Sequence, residues 1–330
     1  MAVLLWTLRA RSRIAPWCLL AAHVLWVVSA TACIKSDAPA PPGPPSSSQS
    51  DCLGEVVELD VVLRPPWTSH WKRLNRSDCR PDSWLVRSPE RGQSLGQYRS
   101  ASSVRPAPGN LRVGVLSSLS AAEQSLMPLV AEFSGLFFQR NSKVVETIDV
   151  PKAALETRRG DGRGQLDARV LLAGLPDDCT RDGGACLWLT GEDLYISGLQ
   201  YVFGLAQYQR RQGVVSLHRT LRAPAKEGLA QGALSSRIDS LRRLLKVAVH
   251  ELGHPFSLQH CVHFRHCLMA GTSSVRENDE GRLALCPLDH EKLRQRLGFE
   301  PTRRFLELAD FADREGLHPE ARYWRQMAGE

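Results

Sequence analysis

The sequence predicts an α+β fold in which a twisted mixed β-sheet covers one long helix, followed by a helical C-terminal part. Three observations lead there. From residue 111 onward, short apolar stretches alternate with stretches of helical spacing. A long amphipathic stretch runs through Arg242, Leu245 and Val249 into His250-Glu251-Leu252-Gly253-His254. The last forty residues carry helical patterns alone.

The first segment reads as an export signal. Arg9, Arg11 and Arg13 form a positive start, an apolar run follows from Trp17 to Val28, and Ala30-Thr31-Ala32 precedes Cys33. The apolar run is short for a membrane span, which needs about 20 residues. The small residues fit signal-peptidase cleavage after residue 32. Their position directly before Cys33 also resembles a bacterial lipobox, in which that cysteine carries lipid and holds the protein on a membrane facing the periplasm or the cell surface. A plain cleaved signal and secretion is the competing reading. Residues 33–51, rich in Pro, Ser and Ala, cannot pack a core and read as a tether. Residues 52–87 form an N-terminal extension, and residues 88–330 the main domain.

The formal net charge is +7, but without the three arginines of the signal it is +4. No basic stripe interleaved with aromatics is present, so nucleic acid is not an expected partner. Nine cysteines occur. Beyond Cys18 and Cys33 they divide into two local pairs, Cys52 with Cys79 and Cys179 with Cys186, which an exported protein can oxidise. Cys261, Cys267 and Cys286 remain beside histidines. They read as metal ligands, or as buried free thiols.

Within the domain, Leu111–Leu116 (LRVGVL) is an apolar strand. Ser120 and Glu123 make a capping box, and Leu126, Val130, Phe133 and Phe137 recur at helical spacing, with Pro128 bending the first turn. The segment 144–150 is the next strand, which makes a parallel β-α-β unit. Ala168–Leu172, Leu187–Tyr195 and Tyr201–Leu205 read as further strands. The short stretch 213–217 reads as an edge strand, which would add a peptide backbone or simply close the sheet. Ser235 or Ser236 caps the long helix. Three helices close the chain, at 289–297, 304–315 and 319–327.

His250 and His254 are four apart, so both imidazoles project from one helix face with Cβ atoms roughly 5–6 Å apart. Both can reach one zinc, and Glu251 beside them can act as general base on a zinc-bound water. His260, six residues on, supplies a third nitrogen and leaves a coordination place for solvent. These residues predict hydrolysis of a peptide or protein substrate.

The spacing of His250, His254 and His260 resembles the long metzincin motif HExxHxxGxxH, and Met269 stands where metzincins place a Met-turn. Cys261 directly after His260, Cys267-Leu268-Met269 and Cys286-Pro287-Leu288-Asp289 make the chain similar to the archaemetzincins over about residues 88–328. Gly92-Gln93-Ser94, Asp193-Leu194-Tyr195 and Phe203-Gly204 extend the likeness. It implies a zincin-like fold, a catalytic zinc on His250, His254 and His260, and a second, structural zinc on four cysteines. The sequence departs from that pattern at four points. Ser257 replaces the motif glycine. Pro255 follows the second histidine directly. Five residues separate Cys261 from Cys267 where the family has four. Asp289 stands in place of the fourth cysteine. Asp289 can bind zinc through oxygen, and His263, His266 and His290 are nearby substitutes. A Cys261–Cys267 or Cys261–Cys286 disulfide is the competing reading.

The remaining side chains have plain readings. His263 and His266 are expected in a solvated loop, His218 on the surface, and Arg242, Arg243 and Lys246 on the solvated face of the long helix. Aromatic residues 188, 195, 201 and 203 are expected in the core. Two functions compete with hydrolysis. One is a zinc- or peptide-binding lipoprotein of the same fold that no longer cleaves, because Pro255 and Ser257 misplace His260. The other is a redox role, which lacks a C-x-x-C pair.

Overall fold

The computed structural model describes residues 67–101, 109–160, 164–222 and 237–330. The expectations for the export segment, Cys33, the tether and Cys52 lie outside the described residues. Five strands form the principal sheet: β1 (Leu111–Leu116), β2 (Ser142–Ile148), β3 (Ala185–Thr190), β4 (Gly204–Gln207) and β5 (Gln212–Ser216). Their order is β2-β1-β3-β5-β4, parallel throughout except for the antiparallel β4–β5 pair. All six residues of β3 are buried, as expected of a central strand covered on both faces. Cys179 and Cys186 form the expected disulfide, with Cα atoms 5.9 Å apart.

Helix α1 (Leu95–Ala101) precedes the sheet. The Ser120–Glu123 capping box forms, but Pro128 starts a new helix instead of bending the old one: α2 (Met127–Phe138) carries it in its first turn. The long helix α4 (Arg237–Gly253) follows α3 (Ala168–Ala173) in the chain and packs against α2, β4 and β5. Helices α5 (Pro287–Leu297), α6 (Pro301–Arg314) and α7 (His318–Ala328) complete the chain. Phe133 of α2 meets Phe311 of α6 at 5.1 Å and Trp324 of α7 at 6.0 Å between ring centroids. Each such buried ring contributes roughly 1.5–3 kcal/mol, which fastens the C-terminal pair to the sheet layer.

Four expectations are corrected. Residues 168–172 are helical, because Asp167 caps the segment by accepting the N–H groups of Arg169 and Val170. The strand there is only Leu166–Asp167, paired with Leu194–Tyr195. The stretch at 213–217 is not an edge: β5 lies between β3 and β4, and β4 is the outer strand. His218 consequently falls on the short helix Leu217–Arg222, half-buried, its N–H bonded to Ser216 Oγ. Arg243 and Lys246 are buried, because the segment around Val275–Glu280 folds over that face of α4. Arg243 pairs with Asp279, and Lys246 donates to the carbonyls of Asn278 and Gly281.

Residues from 71 onward in the N-terminal extension pack on the domain. Trp71 is buried edge-on to Phe264, and its Nε1–H donates to Tyr323 Oη at 3.0 Å. Backbone bonds from Leu74 to His263 and from Arg265 to Lys72 join the two segments.

Candidate metal centres

Helix α4 carries His250 in its last turn and ends at Gly253, so that His254, four residues on, stands just past the helix end. The chain continues as a 3-10 turn, His254–Phe256. Pro255 is tolerated because it lies in the first turn of that new segment, where no donor is needed. Ser257 takes the left-handed conformation, φ 69° and ψ 16°, and its N–H bonds to His254 O at 2.7 Å. A non-glycine residue there costs about 1–2 kcal/mol. The turn is made all the same, and it brings His260 back over the helix end.

The three rings converge. Centroids of His250, His254 and His260 are 5.0, 5.2 and 5.1 Å apart pairwise, and one ring nitrogen from each lies within 4.8 Å of the others. The outer nitrogens are all held. Nδ1 of His250 is 2.8 Å from Leu268 O, Nδ1 of His254 is 2.8 Å from Leu258 O, and Nδ1 of His260 is 2.8 Å from Glu90 Oε1. Since those partners only accept, each Nδ1 carries the proton and each Nε2 is left as a bare donor for a metal. Burial lowers His250 to about 4 and holds His254 well below the ordinary imidazole value. Both rings are therefore neutral at physiological pH, as metal-ligating imidazoles must be. Burial works the same way on His260, but the charge and hydrogen bond of Glu90 outweigh it and raise the ring.

Glu251 is buried beside this cluster. Burial pushes its carboxyl up to about 8, against the pull of His260. Its side chain lies under the outer strand: a Cβ on Gly204 would stand 2.6 Å from Glu251 Cγ. Glycine at that place lets the strand come down over the carboxylate. Met269, fully buried, packs against the helix end, its sulfur 2.7 Å from where a Cβ on Gly253 would be.

A second cluster follows immediately. Cys261, Cys267 and Cys286 are free and buried, so neither disulfide of the competing reading is formed. With Asp289 they bring one ligand atom each within 4.8 Å of the rest. Cys261 Sγ and Cys286 Sγ are 3.7 Å apart; Asp289 Oδ2 is 3.3 Å from Cys267 Sγ and 3.5 Å from Cys286 Sγ. Four ligands about 2.3 Å from one zinc stand about 3.8 Å apart, slightly less where oxygen replaces sulfur. The donor set therefore fits a closed tetrahedral site. The other oxygen of Asp289 receives Lys292 Nζ at 2.8 Å. Burial raises Cys267, Cys286 and Asp289, while hydrogen bonds from Cys267 and Cys286 lower Cys261.

His263, His266 and His290 are not among this cluster's ligating atoms. Against expectation His263 is buried, bonded to Cys261, because residues 92 and 262–264 fold together. His266 is half-buried, and His290 stacks on Phe305. Of the four aromatic residues, Trp188 and Phe203 are core, whereas Tyr195 and Tyr201 are half-buried. Sequence reasoning missed Glu90, Trp84 and Tyr208. Tyr208 lies edge-on to His254 at 5.8 Å and bonds to Leu258 O. Nothing in local spacing marks these residues, since the segment 84–90 and Tyr208 both reach the centre from far outside the stretch 250–260.

Comparison with known proteins gives a consistent picture. The profile of Peptidase family M54 matches residues 171–295. The archaemetzincin of Thermococcus kodakarensis is 31% identical over 189 residues, covering 57% of this chain and 98% of that protein. The archaemetzincin of Methanopyrus kandleri is 38% identical over 138 residues, covering 41% of this chain and 69% of that protein. The crystal structure of the latter superposes with a TM-score of 0.47 at 28% identity, over 60% of this chain and 100% of the other.

Proposed function

This chain belongs to the archaemetzincin family and is a zinc-dependent metallopeptidase, and from that premise we propose that His250, His254 and His260 hold the catalytic zinc beside Glu251. The convergence of three neutral-capable imidazoles, each anchored through Nδ1, carries this reading. Zinc held there supplies a Lewis acid for the peptide carbonyl and acidifies the attacking solvent.

The chain's own residues do the rest. Glu251 accepts a proton from the nucleophilic water and returns it to the leaving amine. A carboxyl raised by burial is a stronger base than an ordinary glutamate, and the charge of a zinc held at the histidines would favour its ionised form for the first of those transfers. Strand β4, the outer strand among the described residues, would offer its edge to an extended substrate backbone over Glu251. The second reading, a fold that binds without cleaving, rested on a displaced His260, and its ring faces the other two.

The second cluster, with its four-cornered spacing, is the candidate structural zinc site, with Asp289 as the fourth ligand. Outside the described residues, the signal pattern and Cys33 support export and lipid tethering; among the described residues, no helix is long and apolar enough to cross a membrane. The decisive experiment is zinc analysis with a peptide-library cleavage assay on wild type and Glu251→Ala. The expected result is that the variant keeps its zinc and loses hydrolysis. Cleavage that survives the substitution would place the chemistry elsewhere.

A further inference from the structure

We propose that Glu90 is the positioning residue for the third imidazole, held in turn by Trp84 and Glu277. The proposal rests on the zinc reading above. The three histidines are not supported alike. His250 and His254 stand on or at the end of α4, and their Nδ1–H groups donate to backbone carbonyls 18 and 4 residues away in the chain. His260 has no helix beneath it. It follows the left-handed turn at Ser257, and its Nδ1 meets both carboxylate oxygens of Glu90, at 2.8 and 3.1 Å, across 170 residues of sequence.

Glu90 is itself fixed. Trp84 Nε1–H donates to its Oε1 at 3.2 Å, and the indole lies edge-on to His260 with centroids 5.6 Å apart. The five-membered ring of that indole also lies against Gly271, too close for any Cβ there. The Trp84 backbone N–H donates to Glu277 Oε1 at 2.9 Å, and Glu277 Oε2 receives both the N–H and the hydroxyl of Ser273, at 2.7 and 2.9 Å. A continuous chain of hydrogen bonds thus runs from residues 273–277 through Trp84 and Glu90 to His260.

Such a carboxylate does two things for a metal-binding imidazole. It fixes the proton on Nδ1, which leaves Nε2 bare and aimed at the other two rings, and it makes that nitrogen a stronger donor. The segment 84–90 lies ahead of the residues matched by the family profile. It would be part of the metal centre and not a covering for it. The competing account is an ordinary half-exposed ion pair between Glu90 and a protonated His260, which would leave metal affinity unchanged.

The test uses the whole chain as wild type, Glu90→Gln, Glu90→Asp and Trp84→Phe. Zinc affinity is measured by chelator competition, and Co(II) substitution separates the two clusters, since only the cysteine site gives thiolate charge-transfer bands. Glu90→Gln is expected to weaken binding at the histidine site about 10–100-fold, without lowering the unfolding temperature of the metal-depleted protein. Glu90→Asp should recover part of that loss, and Trp84→Phe should weaken binding a few-fold. Wild-type affinity in Glu90→Gln would overturn the proposal. So would an affinity loss matched by an equal loss of stability in the metal-free state. A wild-type protein that binds no metal at the histidines would instead defeat the zinc reading on which the proposal stands.

Discussion

The two ligand clusters adjoin in sequence at His260-Cys261 yet are built to opposite specifications. The histidine triad offers three candidate ligands, leaves His250 and His260 half-exposed, and has the carboxyl of Glu251 beside it. The cysteine cluster offers four ligands, all buried, with the fourth tied to an equally buried lysine. A zinc hydrolase site needs an open position and a structural zinc site needs none. On the proposed assignment, the difference between the clusters separates chemistry from scaffolding within one short stretch. Each also departs from the family pattern at a different kind of place: the triad in its backbone, at Pro255 and Ser257, and the cluster in a candidate ligand, at Asp289.

Three substitutions break or sharpen this contrast. The largest effect is expected for Cys286→Ser, which removes a corner of the closed cluster. It should lose one zinc equivalent and destabilise the protein by an amount on the order of 4–5 kcal/mol, read by metal analysis and thermal unfolding. An unchanged unfolding temperature would mean that this cluster is not structural. Next is Lys292→Met, which leaves the Asp289 carboxylate buried without its cation. A cost of about 3 kcal/mol is expected in denaturant unfolding, with weaker retention of the cluster's metal and no change at the histidine site. Should the histidine site lose its metal too, the two clusters are not independent. The smallest is Ser257→Gly, which relieves the left-handed residue. Allowing for the greater freedom of glycine in the unfolded chain, a gain of about 0.5–1 kcal/mol is expected, with zinc content unchanged. A loss of stability would show that Ser257 contributes more than its backbone conformation.

Much of the site is legible in local spacing. The helical period alone puts His250 and His254 on one face and Glu251 next to them, and the capping box at Ser120 forms as its two residues imply. The apolar run at 168–172 misleads, because a short apolar stretch fits either period and the deciding signal is the cap at Asp167. The charges on α4 mislead for another reason. Arg243 and Lys246 look solvated until a segment more than thirty residues away supplies Asp279 and two carbonyls to receive them.

The sequence by itself determined the chemistry: the residue types that bind zinc, their order, and the turn that a serine must make in place of glycine. Those depend on bonds and torsions between near neighbours, which repeat wherever the same residues occur. Only the tertiary structure decided which strand is the outer one, which ring Glu90 supports, and that Asp289 faces three thiols while Lys292 holds its other oxygen. Such pairings join residues far apart in the chain. They exist because packing excludes water and most buried polar groups must then find their partners inside the protein.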